Sequence, residues 1–156
     1  DRPLRQGSEE YLDSEKYQIR AWDSDSPNSL RGLISSVNRI RRDNLALQND
    51  WSLEFHPVDH DQLICYSKHS EDGVNLILVV VNLDRRYTQS GFVDLPLERW
   101  KIDPTHQFQA HDLLTDSRYL WSSHRNYVQL DPSVIPAHIF RIRRKIRSEA
   151  DFEYFL

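Results

Sequence analysis

Residues 9–17 read EEYLDSEKY, so that Glu9, Glu10, Asp13 and Glu15, with Tyr11 and Tyr17, crowd a single lysine, Lys16. Nearby negative charge favours the protonated form of a lysine, so this ammonium is held charged. Two uses fit such a cluster. It is a solvated, charged turn, or it holds a cation with three donors in place for an anionic ligand. The residue types alone leave both open.

Other chemistry-bearing residues are weaker candidates. Seven histidines occur, at 56, 60, 69, 106, 111, 124 and 138. Zinc sites show ligands paired at short spacing. Only His56 and His60 are close, the turn between them contains Pro57, and the chain has one cysteine and no HExxH. These read as ordinary strand and loop histidines, and no metal is expected. Cys65 lies in a strand pattern, where a small thiol packs comfortably, and there is no G-x-S-x-G elbow. The four glycines are not clustered, so no phosphate-cradling loop or cofactor motif is present. Glycosyl transfer needs paired carboxylates. Acids are abundant enough that spacing does not exclude a pair, but nothing singles one out, and no catalytic residue is assigned.

Composition narrows the class. The 156 residues suit one ordinary domain or a piece of a larger protein, and the chain opens DRPLRQGSEE without a methionine, as an internal cut would. A net charge of −4 and a pI near 6.0 argue against a polyanion binder. The arginines of 141–147 therefore read as the water-facing side of an outer strand whose Phe140, Ile142 and Ile146 face inward, and nucleic acid is not an expected partner. The single cysteine excludes an internal disulfide and fits a reducing, cytoplasmic compartment. The longest apolar run, Leu76 to Val81, is far shorter than the roughly 20 residues of a membrane span. No export leader is visible, and neither membrane nor secretion is expected. Hydrophobics make up only 38% of the chain, so four Trp, seven Tyr and six Phe must supply much of the buried area.

The elements that must position these residues follow from periodicity. Residues 1–27 are polar, with turn formers bunched in WDSDSPNS. NSLRGLISSVNRIRRDNLALQ then places Leu30, Leu33, Ile34, Val37 and Ile40 on one helical stripe. Asn28 or Ser29 can cap its start, Arg39, Arg41 and Arg42 suit the negative end of its dipole, and Asn44 can stop it. After about residue 50 the period changes to two. WSLEFH, QLICYSK, NLILVVVNL, SGFVDLP, QFQAHDLL, RYLW, NYVQL and AHIFRIRR are eight strand-like runs separated by turn signals, of which Asp72-Gly73 is the best hairpin turn. Strands at short spacing without intervening helices predict an antiparallel β-sandwich. Leu76 to Val81 does not alternate, so that strand should be covered on both faces. The end, RIRRKIRSEADFEYFL, switches from basic to acidic and carries Phe152, Tyr154, Phe155 and Leu156 as an apolar docking segment.

The words GSEEYLDSEKYQIRAWD and SLRGLISSVNRIRRDNLALQ, with LEFHPVDHDQLICYSK, ILVVVNLD, DLLTDSRYLW, NYVQLDP, PAHIFRIRR and DFEYFL downstream, resemble the C-terminal part of the α-1,4-glucan:maltose-1-phosphate maltosyltransferases. That family belongs to the α-amylase superfamily, glycoside hydrolase family 13. The resemblance covers essentially the whole chain and implies three parts. Residues 1–47 would be the last βα loop and final helix of a (β/α)8 catalytic barrel, 48–145 an eight-stranded C-terminal β-sandwich, and 146–156 a tail. Active sites of such barrels lie among the βα loops. The resemblance thus resolves the opening cluster: Lys16 and Tyr17 would bind the phosphate end of α-maltose 1-phosphate. The implied reaction is a retaining double displacement in bacterial glycogen (α-glucan) synthesis. An aspartate attacks the anomeric carbon, phosphate departs, a glutamate serves as acid and then base, and the non-reducing end of an α-1,4-glucan accepts the maltosyl group. Those carboxylates match nothing in this chain, which alone would catalyse nothing. The implied partners are the donor, the glucan acceptor, the missing N-terminal barrel and, as a candidate, a second copy in a homodimer; no cofactor is implied. Two alternatives accompany this reading. One is a non-catalytic sandwich that binds glucan through Trp51, Trp100 or Trp121. The other is a piece of a superfamily hydrolase, which would have no phosphate for Lys16 and Tyr17 to hold.

Overall fold

A computed structural model describes residues 5–7, 23–26 and 29–143. Their contacts divide the chain into two units, residues 1–34 and 35–156. Among the described residues the secondary structure is one α-helix, a 3-10 turn and eight strands, in that order.

Helix α1 spans Arg31–Asp43 and has Arg41 and Arg42 in its last turn, against the negative end of its dipole. At its start the Ser29 hydroxyl accepts the Arg31 N–H at 3.3 Å, one of the two caps the sequence offers. The predicted stripe is only partly buried. Ile40 is covered, whereas Leu30, Leu33, Ile34 and Val37 are 64%, 41%, 54% and 39% exposed. The 3-10 turn Leu45–Gln48 follows directly.

The strands are β1 (Glu54–His56), β2 (Leu63–His69), β3 (Leu76–Asn82), β4 (Gln89–Asp94), β5 (Phe108–Asp112), β6 (Arg118–Trp121), β7 (Arg125–Leu130) and β8 (Ala137–Arg143). All eight runs expected from the sequence are therefore strands. They form a six-stranded sheet in the order β1-β2-β3-β8-β5-β6 and a two-stranded sheet of β4 and β7, with every pairing antiparallel. The last strand sits between β3 and β5, so the large sheet is complete only when its final segment is in place. Leu78, Val80, Phe108, Phe140 and Ile142 from the large sheet pack with Val93, Val128 and Leu130 from the small one. This is a β-sandwich, as the periodicity predicts.

β3 is covered on both faces. Leu76, Leu78 and Val80 face the small sheet, while Ile77 and Val79 join Ile40, Ala46 and Ile139 in a second cluster beneath α1 and the 3-10 turn. A strand between two apolar layers cannot alternate, which explains its continuous hydrophobic wording. Between β2 and β3 the chain reverses at Ser70–Asn75, and Gly73 adopts the positive φ of 66° that its missing Cβ permits. Residues 57–59 run beside β4 through a bridge between Val58 and Val93. Gly91 makes that approach feasible, since a Cβ there would lie 2.8 Å from Asp59 Oδ1 and 3.1 Å from His60 Cβ.

Asn44 ties the helical segment to the large sheet. Its amide nitrogen donates to the Ile40 carbonyl at 2.7 Å, and its oxygen accepts from Asn75 at 3.0 Å and from Arg141 Nη2 at 2.7 Å. Asn75 in turn accepts the Ala46 N–H at 3.0 Å. Arg141 therefore departs from the expectation that the arginines of this strand face water. It is half-buried on the helix side of β8, because β8 is a central strand and the asparagine at the helix end supplies an acceptor. Phe140 and Ile142 do face inward, at 1% and 3% exposure.

Candidate functional site

Lys16 and Tyr17 lie outside the described residues, as do Glu9, Glu10, Tyr11, Asp13 and Glu15. The structure describes part of the exit of that stretch, in residues 23–26 and 29–34. There the Asp23 carboxylate accepts the Asp25 N–H at 3.1 Å, and the Ser29 N–H donates to the Ser26 carbonyl at 2.9 Å. Arg31 Nη1 meets Asp25 Oδ1 at 2.9 Å, with both side chains mostly in water (64% and 88% exposed). An ion pair so exposed fixes little energy. The tail beyond Arg143 is likewise outside the described residues.

The histidines resolve into a pattern that spacing announces only in part. His106 pairs with Asp103, His111 with Asp116, His124 with Glu98 and His138 with Asp112. His56 is buried and meets the Ser67 hydroxyl at 2.7 Å; burial lowers its pKa, with Glu54 raising it and Arg99 lowering it in smaller measure. Among the described residues no group of three His, Cys, Asp or Glu side chains could hold a metal ion. Cys65 is buried, and burial pushes its thiol up to about 12, so it is no nucleophile at neutral pH. The fully buried Asp112 is opposed by burial but held below the usual carboxylate range by bonds from His138, Thr115 and the Leu114 N–H. It orients His138 from beneath.

Of the three tryptophans considered as sugar platforms, two fail as exposed surfaces. Trp100 is 5% and Trp121 is 7% exposed, because both belong to the core between the sheets. Trp51 is 62% exposed, its ring edge-on to His69 at 5.1 Å. Residues the sequence reading passed over come together elsewhere. Tyr119, Tyr127, Gln129, Asp131 and His138 line a 350 Å³ cleft over Trp121, Val128 and Phe140. Their signal was present only as side-chain alternation in RYLW and NYVQLDP, which does not reveal that strands of two different sheets meet there. No helix among the described residues is long and apolar enough to cross a membrane.

Comparison with known proteins agrees with this architecture. Residues 55–142, nearly the whole sandwich, match the family described as GLGE, C-terminal. The chain is 46% identical over 142 residues to a protein of Chlorobaculum tepidum called alpha-1,4-glucan:maltose-1-phosphate maltosyltransferase, covering 87% of this chain and 21% of that relative. Identity to the protein of the same name from Salinibacter ruber is 42% over 149 residues, covering 96% and 22%. For alpha-1,4-glucan:maltose-1-phosphate maltosyltransferase 1 of Streptomyces coelicolor it is 42% over 146 residues, covering 91% and 21%. The chain thus spans about a fifth of the length of the curated relatives it matches. With its eight strands, its two sheets and this match, the chain belongs to the GLGE C-terminal family.

Proposed function

We propose that this chain is the C-terminal part of a cytoplasmic maltosyltransferase that moves a maltosyl group from α-maltose 1-phosphate to the non-reducing end of an α-1,4-glucan. The observation that carries the reading is the match of 87–96% of the chain to relatives bearing that name. The order of elements supports it: a polar segment, one helix, then only strands. In this reading residues 1–47 are the last loop and helix of a catalytic barrel, residues 48–145 the sandwich behind it, and 146–156 a docking tail.

Lys16 and Tyr17 are the substrate-binding residues of the proposal. A departing phosphate develops two negative charges, and an ammonium with a phenol beside it meets them with donors while the surrounding carboxylates keep the lysine protonated. The nucleophile and the proton donor lie on the remainder of the enzyme, and this segment alone performs no transfer. A hydrolase of neutral glucans would gain nothing from the pair.

In the full-length enzyme, Lys16→Ala is expected to raise the KM for maltose 1-phosphate about tenfold or more, the scale of a lost hydrogen bond to a charged group. The KM for the glucan acceptor should change far less. Steady-state kinetics varying each substrate in turn checks this, and equal effects on both would remove Lys16 from the phosphate site.

A further inference from the structure

We infer that the cleft between β6, β8 and β7 is a binding site for an α-1,4-glucan chain, separate from the phosphate end of the donor. It exists because two strands cannot cover six. β7 is an edge strand of the small sheet, and beside it Tyr119 of β6 and His138 of β8 stay partly exposed on the inner face of the large one.

The lining is built of rigid rings. Phe140 meets His138 face to face at 4.8 Å, Trp121 edge-on at 5.0 Å and Tyr119 at 5.9 Å. Trp121 and Phe140 form a buried floor, while Tyr119 and Tyr127 stand at the rim, 41% and 52% exposed. Such side chains lose little rotamer freedom when a ligand lands on them. Polar groups are set among the rings. The Tyr127 hydroxyl donates to Gln129 Oε1 at 3.1 Å. Asp131 Oδ1 accepts from the Ser133 amide and hydroxyl at 2.8 and 2.7 Å. His138 Nδ1 is held by Asp112 Oδ2 at 2.9 Å, which fixes the ring and leaves its Nε2 as the second polar atom.

This mixture selects a ligand class. Among the described residues no lysine or arginine lines the cleft and Asp131 is its one carboxylate, so a phosphate or polynucleotide finds no counter-charge there. A wholly apolar ligand would strip water from the remaining polar atoms of Asp131, Gln129 and His138 and offer nothing in its place, at a cost in desolvation. A pyranose answers both demands: its C–H face lies on an aromatic ring, and its hydroxyl edge reaches carboxylate, amide and imidazole. The volume of 350 Å³ is at the small end of the ~300–1,000 Å³ usual for small-molecule sites, the size of a short stretch of a longer chain. The choice of an α-1,4-glucan over other neutral oligosaccharides rests on the function proposed above. A site of this kind keeps a polymeric acceptor near the enzyme between transfers, by raising its effective concentration.

The test uses the full-length protein with maltoheptaose and tetranitromethane. Nitration of Tyr119 and Tyr127, read by peptide mass spectrometry, should slow about fivefold or more at saturating sugar, while Tyr87, exposed outside the cleft, is unaffected. In native gels containing glycogen, Tyr127→Ala should lose about threefold or more of its retardation and Tyr127→Phe should keep it. Unprotected Tyr119 and Tyr127 overturn the inference, as does undiminished retardation of a folded Tyr127→Ala. Protection that grows with protein concentration and needs no sugar also overturns it, in favour of a protein interface. If Tyr127→Ala fails to fold, the nitration of the unaltered protein decides. Absence of transfer from maltose 1-phosphate, with the protection intact, would sink the proposed function and leave this site standing.

Discussion

At the scale of single residues, the burial of His56 has a consequence for pH. Burial lowers its folded pKa from the ordinary 6.5. Above pH 6.5 both folded and unfolded chains carry the neutral ring, and its contribution to stability is complete. As pH falls through 6.5 the unfolded chain takes up a proton that the native one resists, so stability is lost toward lower pH. Urea midpoints measured from pH 7.5 down to 5.5 should fall, and the fall should be shallower in His56→Gln, which can still hydrogen-bond Ser67. An identical slope in the variant would show that His56 does not carry the effect. In the sequence the histidines read as ordinary strand and loop residues, and most of their partners are not legible there. Asp103 and His106 are three residues apart and could be guessed as a pair. Glu98–His124 and Asp112–His138 each span 26 residues and exist only because strands from different parts of the chain are brought side by side.

At the scale of elements, one asparagine joins three of them. Asn44 ends α1, bonds Asn75 in the β2–β3 turn and accepts the Arg141 guanidinium from β8. It is 1% exposed. Asn44→Ala should therefore destabilise the fold by about 1–3 kcal/mol, since it strands a half-buried guanidinium and an amide at once. Chemical denaturation measures this; a loss below about 0.5 kcal/mol would mean that water replaces the asparagine without penalty. The helix boundary was legible because an asparagine following a basic last turn is a local signal. The Arg141 contact was not, because it joins residues 97 positions apart. An arginine in a strand reads as outward-facing unless one knows that its strand lies at the centre of a sheet under a helix.

At the scale of the whole molecule, the chain exposes apolar side chains that a finished surface seldom shows. In residues 1–34 these are Leu30, Leu33 and Ile34, and in residues 35–156 they include Val37, Leu53 and Phe55 around a 340 Å³ groove on the outer face of the large sheet. Apolar patches of this kind mark interaction surfaces or aggregation liabilities. The 156-residue chain produced alone should therefore self-associate, with a light-scattering mass that rises with concentration, whereas the full-length protein should not show that rise. A clean monomer at all concentrations would refute this. The groove and the stripe agree with a chain that spans about a fifth of its relatives.

The sequence by itself determined what local rules control: the helix after residue 28, the eight strands, the glycine turn at 73 and the family to which its wording belongs. Hydrophobic period, capping and turn chemistry act over a few residues, so they are written where they operate. Tertiary structure alone decided which tryptophans are buried, that Arg141 turns toward the helix, and that Tyr119, Tyr127, Asp131 and His138 share a cleft. Those outcomes depend on strand order. The order β1-β2-β3-β8-β5-β6 beside β4-β7 is set by how two unequal sheets best bury their common face, a choice made by the whole chain at once.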